Sequence, residues 1–155
     1  MRLSTKVRYG VRALFDIAYN TSGLPIQIKE ISKRQNISQR YLEQIFQKLR
    51  KAGLLKSKRG PKGGYVLAKT PKEINIGNVI KAVEGGTELV SCIKKCKKTY
   101  KKCDMYDKCA TKFFWNEASE TIFKYFSSVS IQDICDKAKD VGIERELDYR
   151  FMYFI

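Results

Sequence analysis

Histidine is missing from this 155-residue sequence altogether. Histidine is the most common general base and the most common nitrogen ligand of metals in proteins. Any metal site in this chain must therefore be built from thiolates and oxygens. The chain also lacks paired carboxylates in a recognisable site and a phosphate-binding glycine loop with its lysine, so an enzyme is the least favoured class.

Long apolar runs are missing as well. None approaches the roughly 20 residues that a membrane-spanning helix needs, and the first residues do not contain the apolar core of a signal peptide. We therefore expect a protein of the reducing cytoplasm with no membrane partner. In that compartment, clustered cysteines are more typical of metal binding or redox sensing than of structural disulfides.

Acidic residues are scarce, since 16 Asp and Glu stand against 31 Lys and Arg, a formal net charge of +15. Such a surplus on a small protein indicates a polyanionic partner, most often nucleic acid. Lysine enrichment for solubility or for a hot habitat is the alternative, but the basic residues crowd into particular segments. The length allows one globular unit with an appendage, not two large cores.

The first half of the chain predicts a helix-turn-helix. Apolar residues at helical spacing indicate a first helix that Ser4 caps and that reaches about Asn20. A second helix is predicted over residues 28–34. A third is predicted over residues 39–52, with Ser38 as its N-cap.

The third helix divides into an apolar stripe and a polar face. The stripe consists of Leu42, Ile45, Phe46 and Leu49, and the polar face carries Gln39, Arg40, Glu43, Gln44, Gln47 and Lys48. In a major groove, Arg can read guanine, Gln adenine and Glu cytosine. Because any solvated helix has a polar face, this pattern alone fits an ordinary surface helix equally well.

The segment that follows favours DNA binding. Residues 54–57 and 65–67 are predicted strands joined by a glycine-rich basic turn, which together form a β-hairpin wing. Residues 38–65 contain eight basic residues and one acidic residue. We expect Arg59, at the tip, to enter a narrow minor groove or to contact phosphate. A small basic RNA-binding protein is the rival from another class, but RNA modules generally need exposed stacking aromatics, and the tip has none.

Four of the five cysteines lie in one lysine-rich segment with the spacing C-x3-C-x6-C-x5-C. They are Cys92, Cys96, Cys103 and Cys109. The spacing lacks the tight C-x2-C pair of a usual zinc knuckle; zinc stays possible, but a wrapped iron–sulfur cluster fits at least as well. The surrounding lysines depress thiol pKa values, which would also make the cysteines oxidisable. Cys135, on an amphipathic helix, is expected to be a small buried side chain.

The second half predicts a helix over residues 111–126 with more large apolar groups than a small winged domain can bury. A partner helix in a homodimer explains this surplus, with an ordinary core helix as the alternative. The predicted interface residues are Phe113, Phe114, Trp115, Ala118, Ile122, Tyr125 and Phe126. Ser130 and Asp133 form the pattern of a capping box for a last helix to about Lys139. The aromatic tail, residues 146–155, is either a strand or a strap across the partner subunit.

These patterns predict a mainly α-helical fold, a winged helix-turn-helix DNA-binding domain with a small β-hairpin wing and a long C-terminal dimerisation helix. The winged domain is assigned to residues 1–84 and closes with a short helix at residues 76–83. The cysteine-rich cluster-binding loop covers residues 85–110. The dimerisation helix and the short helix after it occupy residues 111–140, and the tail occupies residues 141–155.

The sequence resembles the Rrf2 family of bacterial winged-helix transcription regulators. Residues 2–14 resemble that family's first helix, residues 37–55 its recognition helix and residues 57–67 its wing, and the similarity runs through about residue 127. The resemblance implies a homodimer on double-stranded DNA with an imperfect palindrome, with recognition helices in major grooves and wings in the minor groove.

The resemblance implies that Glu43, Gln44 and Arg59 contact bases. The full set of residues expected to face DNA is Arg2, Thr5, Ser38, Gln39, Arg40, Tyr41, Glu43, Gln44, Lys48, Lys58, Arg59, Lys62 and Gly63. These contacts would give the protein the family's function as a transcription regulator. A change in the cluster at the cysteine site would then alter the affinity for operator DNA.

The resemblance also implies that Cys92, Cys103 and Cys109 bind an iron–sulfur cluster. The chain departs from the family pattern because Cys96 is additional, because Lys112 stands where some members have a ligating His, and because Arg8 stands where certain relatives have an acidic ligand. We expect Cys96 to be the fourth ligand of a [2Fe-2S] cluster, favoured over [4Fe-4S] on family grounds only. A cluster-free thiol switch and a structural zinc site are the alternatives within regulation.

Overall fold

The computed structural model describes residues 3–93 and 103–146, and within these ranges it contains six α-helices and one antiparallel hairpin. In chain order these are α1 (Thr5–Asn20), α2 (Ile28–Gln35), α3 (Gln39–Lys51), β1 (Leu55–Lys58), β2 (Gly64–Leu67), α4 (Ile76–Glu84), α5 (Thr111–Ser128) and α6 (Ile131–Asp140), with a short 3-10 turn at Ser91–Ile93. The predicted fold class is confirmed, and the predicted limits of helices and strands agree to within two residues. None of the helices in the described ranges is long and apolar enough to cross a membrane.

Short polar side chains cap α1, α3, α4 and α6, and the sequence predicts the caps of α1, α3 and α6. The hydroxyl of Ser4 accepts a hydrogen bond from the Val7 amide, and that of Ser38 accepts one from the Tyr41 amide, each at 3.4 Å. At α6 the predicted capping box is present. These bonds satisfy amides that have no partner inside their own helix.

The central element is α1, which packs against α2, α3, α4, α6 and β2. The apolar stripe predicted for α3 is buried against it. Cys135 is buried too, at 4% exposure, which confirms the expectation of a small core side chain. One face of α4 joins this core, and α5 packs on α4. The helix-turn-helix and α5 are therefore held by the same core.

A main-chain bridge fixes the root of the wing. The Tyr65 amide donates to the Ile26 carbonyl at 2.8 Å, and the Ile26 amide donates back at 3.1 Å. Beside this bridge, a side chain at Gly64 would place its Cβ only 2.3 Å from the Ile26 carbonyl oxygen, at a φ of +155°. Glycine is required there because the two backbones approach too closely for any other residue. The Tyr65 ring also meets Phe46 of α3 edge to face, with centroids 4.7 Å apart.

A buried carboxylate joins α1 to α2. Asp16 is inaccessible to solvent and accepts hydrogen bonds from Nε of Arg34 at 3.1 and 3.2 Å, and a further short bond from Nη2 of Arg34. The amide group of Gln35 donates to Asp16 at 2.8 Å. Arg12 in turn donates to the Gln35 side chain at 3.1 Å and to its carbonyl. The helix-turn-helix is thus tied to α1 by a polar network that no local pattern in the sequence indicates.

Replacing the buried acid should be far more damaging than replacing an exposed one. Asp16→Ala leaves the guanidinium of Arg34, whose side chain is only 11% exposed, without its carboxylate partner, and breaking a buried pair typically costs about 3–5 kcal/mol. The matched control is Asp136→Ala, whose partner Lys139 lies 3.1 Å away with both side chains about half exposed; surface pairs of this kind contribute little. Urea denaturation of both variants measures the free energies of unfolding. Equal losses in the two variants would contradict the assigned role of Asp16.

Candidate functional site

The polar face of α3 lies open on the surface of the protein. Gln39, Arg40, Glu43, Gln44 and Gln47 are all exposed, whereas the four apolar residues of the same helix are buried. The helix is therefore held from one side only, and its row of amide, guanidinium and carboxylate groups is accessible. This is the geometry that a recognition helix needs in order to enter a major groove. Ser38 is exposed at the start of the helix, where it caps the first turn.

A second row of basic groups, from α1, lies beside this face. Tyr41, half-buried, meets the ring of Tyr9 edge to face at a centroid distance of 5.7 Å. The guanidinium carbons of Arg8 and Arg12 lie 5.9 and 5.6 Å from the Tyr9 centroid. Thr5 is exposed on the same helix, at a spacing that puts it on the face of Arg8 and Arg12.

Arg8 and Arg12 extend the positive surface next to α3, a role that was not predicted. Arg8 was interpreted only as the residue that replaces an acidic metal ligand, and Arg12 had no predicted role. Their spacing of four residues, which places two cations on one helical face, was the signal available in the sequence.

The wing presents its basic residues to solvent. Lys58, Arg59 and Lys62 are exposed, and the tip closes with a hydrogen bond from the Gly63 amide to the Gly60 carbonyl at 2.8 Å. A Cβ at Gly63 would lie 2.4 Å from the Lys58 carbonyl oxygen. The tight tip therefore needs glycine at this position, and the turn holds Arg59 at the outer end of the hairpin.

Lys48 differs from the other residues predicted to face DNA. Its ammonium group donates to the Val83 carbonyl at 2.6 Å, near the C-terminal end of α4. A cation is favourable there because the last carbonyls of a helix carry partial negative charge. Lys48 thus links α3 to α4, while its contact with DNA stays a prediction. Arg2 lies outside the described residues.

The cysteine segment is described in part, and Cys96 lies outside the described residues. Cys92 and Cys103 are exposed, Cys109 is half-buried, and all three are free thiols. The Cys109 sulfur lies 3.2 Å from the Thr111 hydroxyl. That hydrogen bond is the main reason that the pKa of Cys109 is lowered; the amides of Lys112 and Thr111 and the charge of Lys112 add to it. In contrast, burial raises the pKa of Cys135.

The described thiols are the right chemical type for a thiolate-bound metal centre, but they do not lie close enough together to form one. Free, accessible cysteines are the ligands that iron–sulfur clusters and zinc prefer. Within residues 3–93 and 103–146, however, no three Cys, Asp or Glu side chains lie close enough together to hold a metal ion. Lys112 is in contact with aromatic rings, its ammonium lying 4.3 Å from the Tyr106 centroid and 5.4 Å from that of Phe113.

Large apolar side chains are exposed along α5. The exposed fractions are 71% for Phe113, 61% for Phe114 and 67% for Tyr125. Trp115, Ala118 and Ile122 are partly exposed, whereas Phe126 packs against the core of its own chain. Apolar exposure of this extent along one helix is typical of a surface that another protein covers.

Helical spacing separates the exposed residues of α5 into two stripes. Phe114, Ala118 and Tyr125 are spaced by four and seven residues, so they share one face. Phe113 instead shares its face with charged residues, namely Glu117, Glu120 and Lys124. The stripe of Phe114, Ala118 and Tyr125 is therefore the more continuous apolar surface.

Comparison with known proteins identifies the family. Residues 3–137 match the family model Rrf2, described as an iron-dependent transcriptional regulator. The chain belongs to the Rrf2 family.

Other Rrf2-type regulators resemble the chain over nearly its whole length. An HTH-type transcriptional regulator of Neisseria meningitidis serogroup A is 42% identical over 153 residues, which cover 99% of this chain and all of that one. The HTH-type transcriptional regulator IscR of Pectobacterium carotovorum is 36% identical, with 97% of this chain and 90% of the relative covered. Because these relatives are transcriptional regulators, this Rrf2 protein is a DNA-binding regulator with a helix-turn-helix and not an enzyme.

Solved structures agree with this assignment. IscR of T. potens superimposes with a TM-score of 0.71 at 32% identity, covering 94% of this chain and 93% of that chain. CymR, the global cysteine regulator of B. subtilis, gives a TM-score of 0.69 at 30% identity, covering 88% and 98%. The Rrf2 winged-helix architecture therefore extends through α5 and α6 as well as the DNA-binding half.

The two pKa shifts predict that the reactivities of Cys109 and Cys135 depart from that of an ordinary thiol in opposite directions. Because the thiolate is the reactive form, Cys109 with its lowered pKa should be alkylated by iodoacetamide at a lower pH than an ordinary thiol, and Cys135 only at a higher pH. Mass spectrometry of the metal-free protein across pH 6–10 measures both rates. Thr111→Val, which removes the main hydrogen bond, should shift the Cys109 profile to higher pH; an unchanged profile would contradict the assigned cause.

Proposed function

We propose that this Rrf2 protein is a homodimeric transcription regulator that binds an imperfect palindrome and senses iron–sulfur or redox status through a cysteine-bound cluster. The proposal rests on the finding that three separate surfaces, all accessible to solvent, are held by one core. The α3 face and the wing form a basic surface, α5 exposes an apolar stripe, and the cysteine segment joins α4 to α5.

DNA recognition is assigned to the open face of α3 and to the tip of the wing. Glu43 and Gln44 occupy exposed positions on α3, from which they can reach base edges in the major groove. Arg59, at the exposed tip of the wing, is assigned to the minor groove. Arg8 and Arg12 add positive charge beside α3, where it would attract the phosphate backbone.

Two substitutions separate base reading from general attraction to DNA. Arg59→Ala should weaken operator binding by about 1–3 kcal/mol and lower its salt dependence, because a cation is lost from the groove. Glu43→Ala should chiefly relax base preference. Fluorescence anisotropy on an operator and on a random duplex, at several salt concentrations, measures both effects. If Glu43→Ala weakened binding equally on the two duplexes, its role in reading bases would be wrong.

The homodimer is assigned to the apolar stripe of α5. A single chain leaves Phe114 and Tyr125 more than half exposed, and a two-fold axis would bury the same stripe of both copies against each other. Two copies of α3 would then be presented to successive major grooves of one palindrome.

A charge in the stripe should break the dimer. Phe114→Asp places a carboxylate where a second copy would bury it, so the mass from sedimentation velocity should fall to that of one chain. Lys124→Asp, on the charged face of the same helix, is the matched control and should keep the dimer mass. A dimer that persists in Phe114→Asp at low micromolar concentration would contradict the assigned interface.

The cluster is assigned to Cys92, Cys96, Cys103 and Cys109, with [2Fe-2S] favoured over [4Fe-4S]. The donor chemistry supports it, since the chain has no histidine and the three described thiols are free. When bound, such a cluster supplies a redox-active centre whose charge and integrity respond to the cell's state. The residues of this chain contribute the thiolates and the surrounding positive charge. To bind one cluster, the thiols of Cys92, Cys103 and Cys109 must lie closer together than they do in the described structure.

A single substitution tests whether Cys96 is the fourth ligand. Cys96→Ser, purified without oxygen, should lose cluster absorbance or shift its reduction potential because one thiolate is replaced by a weaker ligand. Cys135→Ser is the matched control; its buried cysteine lies in the core, so the spectrum of the cluster should stay as in the parent protein. Full absorbance and an unchanged potential in Cys96→Ser would exclude Cys96 as a ligand.

A signal from the cysteine segment has a short physical route to α3. The Leu89 amide, three residues before Cys92, donates to the Ser119 hydroxyl of α5 at 3.1 Å. On the other side of α4, Lys48 of α3 binds the Val83 carbonyl. A change in the segment after α4 would therefore act on α5 and on the contact between α4 and the recognition helix.

A further inference from the structure

An apolar groove runs between α1 and α6. Its volume is about 430 Å³, and its apolar lining comes from Phe15, Val129, Ile134, Ala138, Val141 and Ile143. Val141 and Ile143 are 60% and 51% exposed. The described chain thus leaves more than half of the surface of Val141 and of Ile143 uncovered, so the groove is suited to an apolar occupant.

The chain passes along this groove before it leaves the described residues. The Tyr19 hydroxyl donates to the Ile143 carbonyl at 2.7 Å, and the Glu146 amide donates to the Asn20 side chain at 3.0 Å. The Arg145 guanidinium lies 5.1 Å from the Tyr19 ring centroid. Glu146 is thus fixed to the end of α1, three residues after a residue that lines the groove.

The sequence beyond Glu146 is mostly apolar, as the lining of the groove is. Seven of the nine residues at positions 147–155 are apolar or aromatic. In an extended chain Leu147, Tyr149, Phe151 and Tyr153 would share one face, and the other face would carry Asp148 and Arg150, followed by Met152 and Phe154. Nine extended residues span about 30 Å, enough to turn back along a groove that begins beside Ile143.

We propose that residues 147–155 dock in the groove of their own chain and strap α6 to α1. Attachment at Glu146 favours the chain's own tail over a free partner, because a short tether raises the local concentration to the millimolar range. The strap would stabilise α1, the helix that also anchors the helix-turn-helix through Asp16. This inference does not depend on the cluster or on DNA binding.

Hydrogen exchange of the full chain tests the strap with a matched pair of tail variants. Phe151→Ser removes a large group from the docking face, so amides of α6 and residues 141–143 should exchange about tenfold faster. Arg150→Ser alters the opposite face of the tail and should leave those rates unchanged. Amides of α3 should keep their protection in both variants, which shows that the effect is local.

A groove variant completes the test. Val141→Ser should also speed exchange in α6, and combining it with Phe151→Ser should add little, because both disrupt one contact. Unchanged exchange in Phe151→Ser, or simple additivity in the double variant, would overturn the proposal. Protection of α6 that disappears on dilution together with the dimer mass would also overturn it, because a second copy would then be the occupant.

Discussion

The rest of the structure depends on the buried carboxylate of Asp16. Without solvent contact, it needs partners for its negative charge, and it finds them in Arg34 and Gln35 of α2. The penalty of leaving either charge unpaired makes the distance between α1 and α2 difficult to change. Since α2 packs against α3, the recognition helix takes its position from a polar contact as well as from its buried apolar stripe.

This constraint explains how one small core presents three different surfaces. The inner face of α1 holds α3 and α4, so the polar side of α3 is left to the solvent with the basic wing beside it. α4 in turn holds α5, whose remaining apolar stripe has no cover in the described chain. The cysteine segment connects α4 to α5, and a change there would reach the DNA-binding surface and the proposed dimer surface through elements that already contact each other.

Local features of this fold could be predicted from the sequence, whereas long-range polar contacts could not. Helix limits, the Ser4 and Ser38 caps and the buried face of α3 follow from periodicity and capping chemistry within a few residues. The pairing of Asp16 with Arg34 and the bond from Lys48 to Val83 depend on how separate helices pack, which no local pattern contains. The cysteine spacing indicated the donor type but not the positions of the thiols, because distances between residues that connect two helices do not follow from their spacing in the sequence.

The most direct test of the account is to purify the full chain without oxygen, measure iron, acid-labile sulfide and zinc, and titrate the same sample with operator DNA before and after removing its metal. The protein should be coloured, should contain iron and sulfide in equal amounts, and should change its operator affinity clearly when the cluster is removed. Stoichiometric zinc without sulfide, or the same affinity in both states, would contradict it.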